Sequence, residues 1–138
     1  MRFLLAAILL IASTASFAKT CEIIRVVDGD TIEVPLSCLP KNMKLFVRVH
    51  GVDTPEKGAR AECLREAKLA ESATAHTKML VAYANGKATL TNPKWDKYGG
   101  RMLANVDLNG VDLTKSLIDN GLARSYSGGK KVTWCEEQ

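Results

Sequence analysis

Histidine is scarce in this 138-residue sequence. The two present, His50 and His76, have no matching nucleophile in the pattern, which sets histidine-driven covalent catalysis aside. Four cysteines are present, Cys21, Cys38, Cys63 and Cys135, but no two stand at the short spacing of a zinc site. An EF-hand is excluded as well, because the glycine and the terminal glutamate that it needs are not at the right offsets. There is no internal repeat, linker or low-complexity segment. The apolar run at residues 3–12 is too short to span a bilayer, which takes about 20 residues, and no stop-transfer pattern follows it. Charge of neither sign dominates, with 19 Lys and Arg against 15 Asp and Glu and a net charge of +4. So modest an excess suits a polyanionic partner without specifying one.

What is there begins with a leader. Met1 and Arg2 precede the apolar run, and Ser16 and Ala18 are the small residues that flank a cut. Residues 1–18 are therefore expected to be a secretory signal peptide. Residues 19–138 then form one domain, able to bury a single core. The expected protein is secreted or periplasmic, with no stable membrane association after cleavage. In an oxidising compartment its four cysteines are expected to make two disulfides. Cys21 with Cys38 is the favoured first pair, because a chain reversal at Gly29 and Asp30 would set them nearly opposite each other on adjoining antiparallel strands. Cys63 with Cys135 is then the second.

An Asp-Gly turn between the apolar stretches 22–27 and 31–36 predicts a hairpin. Residues 43–52 alternate, with Leu45, Val47 and Val49 on one face and Lys44, Phe46, Arg48 and His50 on the other, which predicts a third strand. From 63 to 84 the small and apolar residues recur at helical spacing, and Asn85 with Gly86 supplies a stop, which predicts the main helix. Strands at 87–91 and 102–108 and a short helix at 111–120 complete the chain. Five strands and two helices give an α+β expectation, best met by a five-stranded OB-fold barrel with helices packed on it.

The chemistry sits at the strand ends. Asp30 begins the second strand and Asp53 follows the third, so pairing these strands brings both carboxylates to one barrel edge. Facing carboxylates repel unless a cation joins them, and hard oxygen ligands suit Ca²⁺. Acidic residues and glycine also make ordinary turns, so Asp28, Gly29 and Asp30 say little by themselves. Arg48 and Glu56 add the rest of a phosphodiester site. A guanidinium matches phosphate oxygens with paired donors, and Glu56 is placed to orient or deprotonate a water. Pro55 stiffens the segment that carries it.

On these residues the sequence resembles the thermonuclease family, the staphylococcal-type Ca²⁺-dependent nucleases. The matching segments are VDGDT at 27–31, Arg48 followed by VDTPE at 52–56, DKYGGRMLA at 96–104 and NGLA at 120–123. The resemblance implies an OB-fold endonuclease that cuts DNA and RNA with little base specificity; a monomer acting on single-stranded or frayed nucleic acid is expected. It implies that Asp30 and Asp53 bind the metal through carboxylates and Thr54 through its carbonyl. Glu56 would be the general base or water-orienting group, Arg48 and Arg101 the phosphate clamp, and Lys97, Tyr98 and Tyr126 the lining of the substrate groove. Two departures stand out. One more glycine lies between Tyr98 and Arg101 than in the staphylococcal pattern. At the C-terminal end, Trp134 and Cys135 stand where the staphylococcal enzyme continues through a further helix. The competing reading is a catalytically inactive OB-fold module that holds single-stranded nucleic acid. The acidic set Asp30, Asp53 and Glu56 speaks against it, since a pure binder of polyanions gains nothing from three carboxylates. Trp95 and Trp134 are expected to pack under the barrel or beside a disulfide. Lys130 and Lys131, with Lys94 and Lys97, read as solvated.

Overall fold

The stretch expected as the first strand is part of a longer extended segment with a break in it. In the computed structural model, which describes residues 18–38, 46–97 and 99–136, β1 (Ala18–Glu22) and β2 (Arg25–Asp28) are separated by Ile23 and Ile24. The two amides at the break bond in opposite directions, Ile23 N–H to the Gly86 carbonyl at 2.7 Å and Ile24 N–H to the Glu33 carbonyl at 2.8 Å. One half of the segment therefore joins β6 (Lys87–Trp95), while the other joins β3 (Thr31–Glu33). With β4 (Phe46–Val49) and β7 (Arg101–Leu108), the order is β1-β6-β7-β4-β3-β2. Its two outer members are ends of the same bent segment, so the sheet curls back on itself as an OB-fold barrel of five extended segments. β4 and β7 run parallel, with Val47 beside Met102 and Val49 beside Ala104, and the other pairings are antiparallel.

Alternation along the strands builds the core, because successive side chains point to opposite faces. Met102, Ala104, Val106 and Leu108 of β7 are buried with Val47, Val49, Ile32, Val34, Ala88 and Leu90. The helix α1 (Leu64–Tyr83) buries Ala70, Ala73, Thr77 and Leu80 at intervals of three and four, one stripe of its surface. Asn85 and Gly86, at φ 53° and 71°, end it in the left-handed region. The second helix, α2 (Leu113–Asp119), starts two residues later than expected. Val111–Asp112 form the short strand β8 against β7, and Asp112 then caps α2 by accepting from Lys115 N–H at 3.0 Å.

The third expected strand divides too. Residues 43–45 lie outside the described residues, and after β4 the chain turns through Gly51 at φ 85°. β5 (Val52–Asp53) then leaves the main sheet to pair with β9 (Arg124–Ser125). Conversely, β6 runs on past its expected end at 91, through an irregularity at Asn92 (φ 51°) and Pro93 that shifts its register. The second strand stops early, at Glu33, since Pro35 and the 3₁₀ turn Leu36–Cys38 follow.

That early stop also corrects one cysteine pairing. Cys21 and Cys38 are both buried free thiols. Cys21 lies in β1 opposite Ala88, turned away from the hairpin by the break, and Cys38 sits in the 3₁₀ turn instead of on a facing strand. Their neighbourhood is close even so, with Cys21 Sγ 3.9 Å from the Cys38 carbonyl, and burial together with the Cys38 thiol pushes the Cys21 pKa up to about 12. Cys63 and Cys135 are joined, with their Cα atoms 5.9 Å apart and a separation of 72 in sequence. Closing a loop of that length contributes about 4 kcal/mol in the chain-entropy account. Replacing both residues by serine is therefore expected to lower the unfolding free energy by about that amount in urea titration. A thiol titration of the unfolded, unreduced protein should count Cys21 and Cys38 and no others. An unchanged urea midpoint in the double-serine protein would contradict the first expectation, and four reactive thiols the second.

Candidate active site

The turn between β2 and β3 holds Asp28, Gly29 and Asp30 against α1. Glycine is required at its centre by closeness to the helix, because a Cβ on Gly29 would lie 2.7 Å from the Ala73 Cβ. Thr77 Oγ1 adds a hydrogen bond of 2.6 Å to the Gly29 carbonyl. Asp30 and Asp53 are both buried, and Arg48 of β4, which pairs with Thr31 of β3, stands between them. Arg48 Nη2 is 3.5 Å from Asp30 Oδ2 and 3.5 Å from Asp53 Oδ1. Thr54 follows Asp53 and is buried beside the same turn.

These donors fit a hard divalent cation. Among the described residues, Asp28 Oδ1 is buried with no hydrogen-bond partner. The carboxyl of Asp30 is pushed up to about 6, first by burial and next by the charge of Asp28, against the opposing pull of Arg48. Clustered, desolvated carboxylates that disfavour one another's ionisation are what a cation with oxygen ligands would stabilise.

Glu56 is held at three points. Arg60 Nε is 3.0 Å from its Oε2 and Lys131 Nζ 3.1 Å from its Oε1. Its backbone N–H donates to Glu66 Oε1 at 3.0 Å, while Glu66 Oε2 accepts from Glu62 N–H at 2.7 Å. Glu66 is 4% exposed, so one buried carboxylate at the start of α1 staples both ends of the loop that carries Glu56. The sequence reading missed Glu66, although Cys63-x-x-Glu66 has the spacing of a capping box. It missed Arg60, and it missed the ion pairs of Lys131, whose side chain is 40% exposed. The Lys131 ammonium also lies 2.6 Å from Asp53 Oδ1. Burial lowers its pKa, and hydrogen bonds to Asp53 and Glu56 more than offset this, leaving it raised. No local sequence pattern announces a contact between residues so far apart.

Arg101 opens β7 and reaches Asp96 Oδ2 with Nε at 3.0 Å and Nη2 at 2.8 Å. Gly99 and Gly100, at φ 68° and 77°, accommodate the extra residue in the preceding turn. Arg101 lines a polar cavity of about 60 Å³ with Asp28, Asp30, Arg48 and Glu56. Lys97 and Tyr126 line an adjoining cleft of about 330 Å³ with Arg48 and Trp95. Tyr98 lies outside the described residues. The Tyr126 hydroxyl donates to the Gly129 carbonyl at 2.9 Å. Trp95 does not pack under the barrel, since the irregular end of β6 leaves it 51% exposed. Trp134 is buried next to Cys135, with the Arg124 guanidinium 3.9 Å from its ring centroid. Of the histidines, His76 bonds Ser116 of α2 at 2.8 Å and the His50 carbonyl accepts from Thr114. Both contacts tie α2 to its neighbours.

Replacing Glu66 by glutamine leaves one acceptor oxygen and turns an NH₂ toward the second of the two backbone donors. The change is expected to cost about 1–3 kcal/mol and to speed hydrogen exchange at the Glu56 and Glu62 amides. Wild-type protection at both amides in the variant would rule the staple out.

Residues 46–137 match the family described as staphylococcal nuclease homologue. The chain is also 38% identical over 103 residues to Endonuclease YncB of Bacillus subtilis (strain 168), an alignment covering 72% of this chain and 44% of that protein. It therefore spans less than half the length of this relative. The family match begins at Phe46, so the acidic turn with Asp30 precedes it, while Arg48, Asp53, Glu56 and Arg101 fall inside. Matched through most of its length and folded as an OB barrel with two helices, the chain belongs to the staphylococcal nuclease homologue family.

Proposed function

We propose that the protein is a Ca²⁺-dependent endonuclease that hydrolyses phosphodiester bonds of DNA and RNA with little sequence specificity. The observation that carries this reading is the position of Arg48, 3.5 Å from both Asp30 and Asp53, in a cavity that Glu56 and Arg101 also line. Asp30, Asp53 and the Thr54 carbonyl would hold Ca²⁺, which when bound polarises a phosphoryl oxygen and acidifies water. The Arg48 contacts are longer than good hydrogen bonds, so its donors remain available to a phosphate. Arg48 and Arg101 neutralise the charge that develops on the non-bridging oxygens. Glu56 takes the proton of the attacking water as the new bond to phosphorus forms. The bond from phosphorus to the departing sugar oxygen breaks, and that oxygen leaves with a proton from solvent. Glu66 keeps Glu56 aimed at the water by pinning its backbone.

The cleft beside Arg48 suits an unpaired strand, because exposed Trp95 and half-buried Tyr126 offer faces on which bases stack and Lys97 offers charge to the backbone. An exported setting, secreted or periplasmic, agrees with the expected leader at 1–18 and with a disulfide between Cys63 and Cys135. The test is digestion of labelled single-stranded DNA by the chain from residue 19 onward, with Ca²⁺ or with a chelator. Cleavage should require Ca²⁺. In Arg48→Ala and Glu56→Gln proteins with wild-type circular dichroism, it should fall by roughly 100- to 1,000-fold. Retention of DNA without cutting, across several divalent metals, would instead favour the inactive single-strand binding module.

A further inference from the structure

Lys131 reaches the centre of the site from the far end of the chain, and it is delivered there by a strap. The strap leaves β9 with Tyr126 N–H on the Gly51 carbonyl at 2.9 Å, then folds back through Gly128 and Gly129 at φ 105° and 92°. Arg124 Nη1 clasps it through the carbonyls of Val132 and Thr133 at 3.0 and 2.8 Å. Beyond these, Trp134 is buried and Cys135 is bonded to Cys63 at the start of α1. Lys131 is thus anchored on both sides, and its ammonium lies 2.6 Å from Asp53 Oδ1 and 3.1 Å from Glu56 Oε1.

Taking Asp53 as a metal ligand and Glu56 as the base, as read above, we propose that Lys131 is a positioning residue of the active centre. It is a tethered ammonium that holds both carboxylates until a divalent cation displaces it from Asp53. A cation bound through Asp53 and an ammonium at 2.6 Å from the same oxygen repel each other. The strap makes the ammonium an intramolecular competitor, present at high effective concentration whatever the surrounding salt. Lysine suits the part, since its compact charge on a flexible stem can leave Asp53 while remaining near Glu56. The intact protein therefore binds Ca²⁺ more weakly than its carboxylates alone would, and the Cys63–Cys135 bond sets by how much. Cutting that bond loosens the competitor, which links metal affinity to the redox state of a disulfide outside the metal site.

The deciding experiment is calorimetric titration of Ca²⁺ into the chain from residue 19 onward, as wild type, as Lys131→Met and as the Cys63→Ser, Cys135→Ser double variant. Lys131→Met should tighten Ca²⁺ binding by about tenfold, an ordinary coupling between two sites. The double variant should move in the same direction. Damage to the fold would weaken binding, so tightening separates displacement of a competitor from a structural role. Wild-type binding with unchanged or weaker affinity in Lys131→Met overturns the proposal for Lys131 and leaves the metal site standing. No Ca²⁺ binding by any of the three overturns the metal reading and this proposal with it.

Discussion

The crowding of Asp28, Asp30 and Asp53 at one edge of the barrel is the constraint around which the rest of the molecule is arranged. Burial first, and the charge of Asp28 next, raise the pKa of Asp30. Left alone, such a group would splay apart or draw in water. Here the turn cannot retreat, because Gly29 is pressed against Ala73 and bonded to Thr77. Asp53 cannot retreat either, because β5 is paired with β9. Cations must therefore come to the acids. Arg48 is supplied by the barrel strand β4 and Lys131 by the strap that follows β9.

The barrel determines what the arginines can do. Arg48 pairs in register with Leu103, while Phe46, two residues before it, pairs with Arg101. In both strands the core-facing residues are the intervening ones, Val47 and Val49 on β4 and Met102 and Ala104 on β7. Arg48 and Arg101 are thus on the same face of one parallel strand pair, a fixed step apart. Two separate segments of sequence bring their arginines to one face through backbone register alone. The break at Ile23 and Ile24 closes the sheet, since it lets one segment pair with β6 on one side and with β3 on the other.

Much of this was legible in the chain. Alternation marked the strands and the core, three- and four-residue intervals marked α1, and VDGDT with VDTPE marked the acidic edge. Those signals are local, and local periodicity is what a sequence displays openly. The misses share a different origin. Cys21 was assigned to the hairpin because nothing in residues 21–28 marks where the strand changes partners. Trp95 was assigned to the core because a bulge at Asn92 and Pro93 is invisible until register is known. Lys131 is the extreme case. Its place depends on a disulfide, a cation on an indole and two carbonyl contacts, each made to a partner distant in sequence. Glu66 is intermediate, as its capping position was readable but its second acceptor role required the fold of the 56–62 loop.

The first turn of α1 is where these threads meet. Cys63 caps the helix, its Sγ accepting from Glu66 N–H at 3.4 Å, and the same sulfur is the anchor of the strap. Three residues on, Glu66 grips the loop that carries Glu56. Thr133 of the strap reaches back to Glu62 in that loop, at 3.4 Å. Glu56 and the Lys131 ammonium are therefore mounted on one helical turn, from opposite sides. A fluctuation that frays this turn loosens both anchors together. Helix ends are ordinarily the first parts of a helix to open. In this protein the end is closed by a buried carboxylate and a covalent bond, so the geometry around Glu56 acquires the stability of the barrel instead of that of a loop.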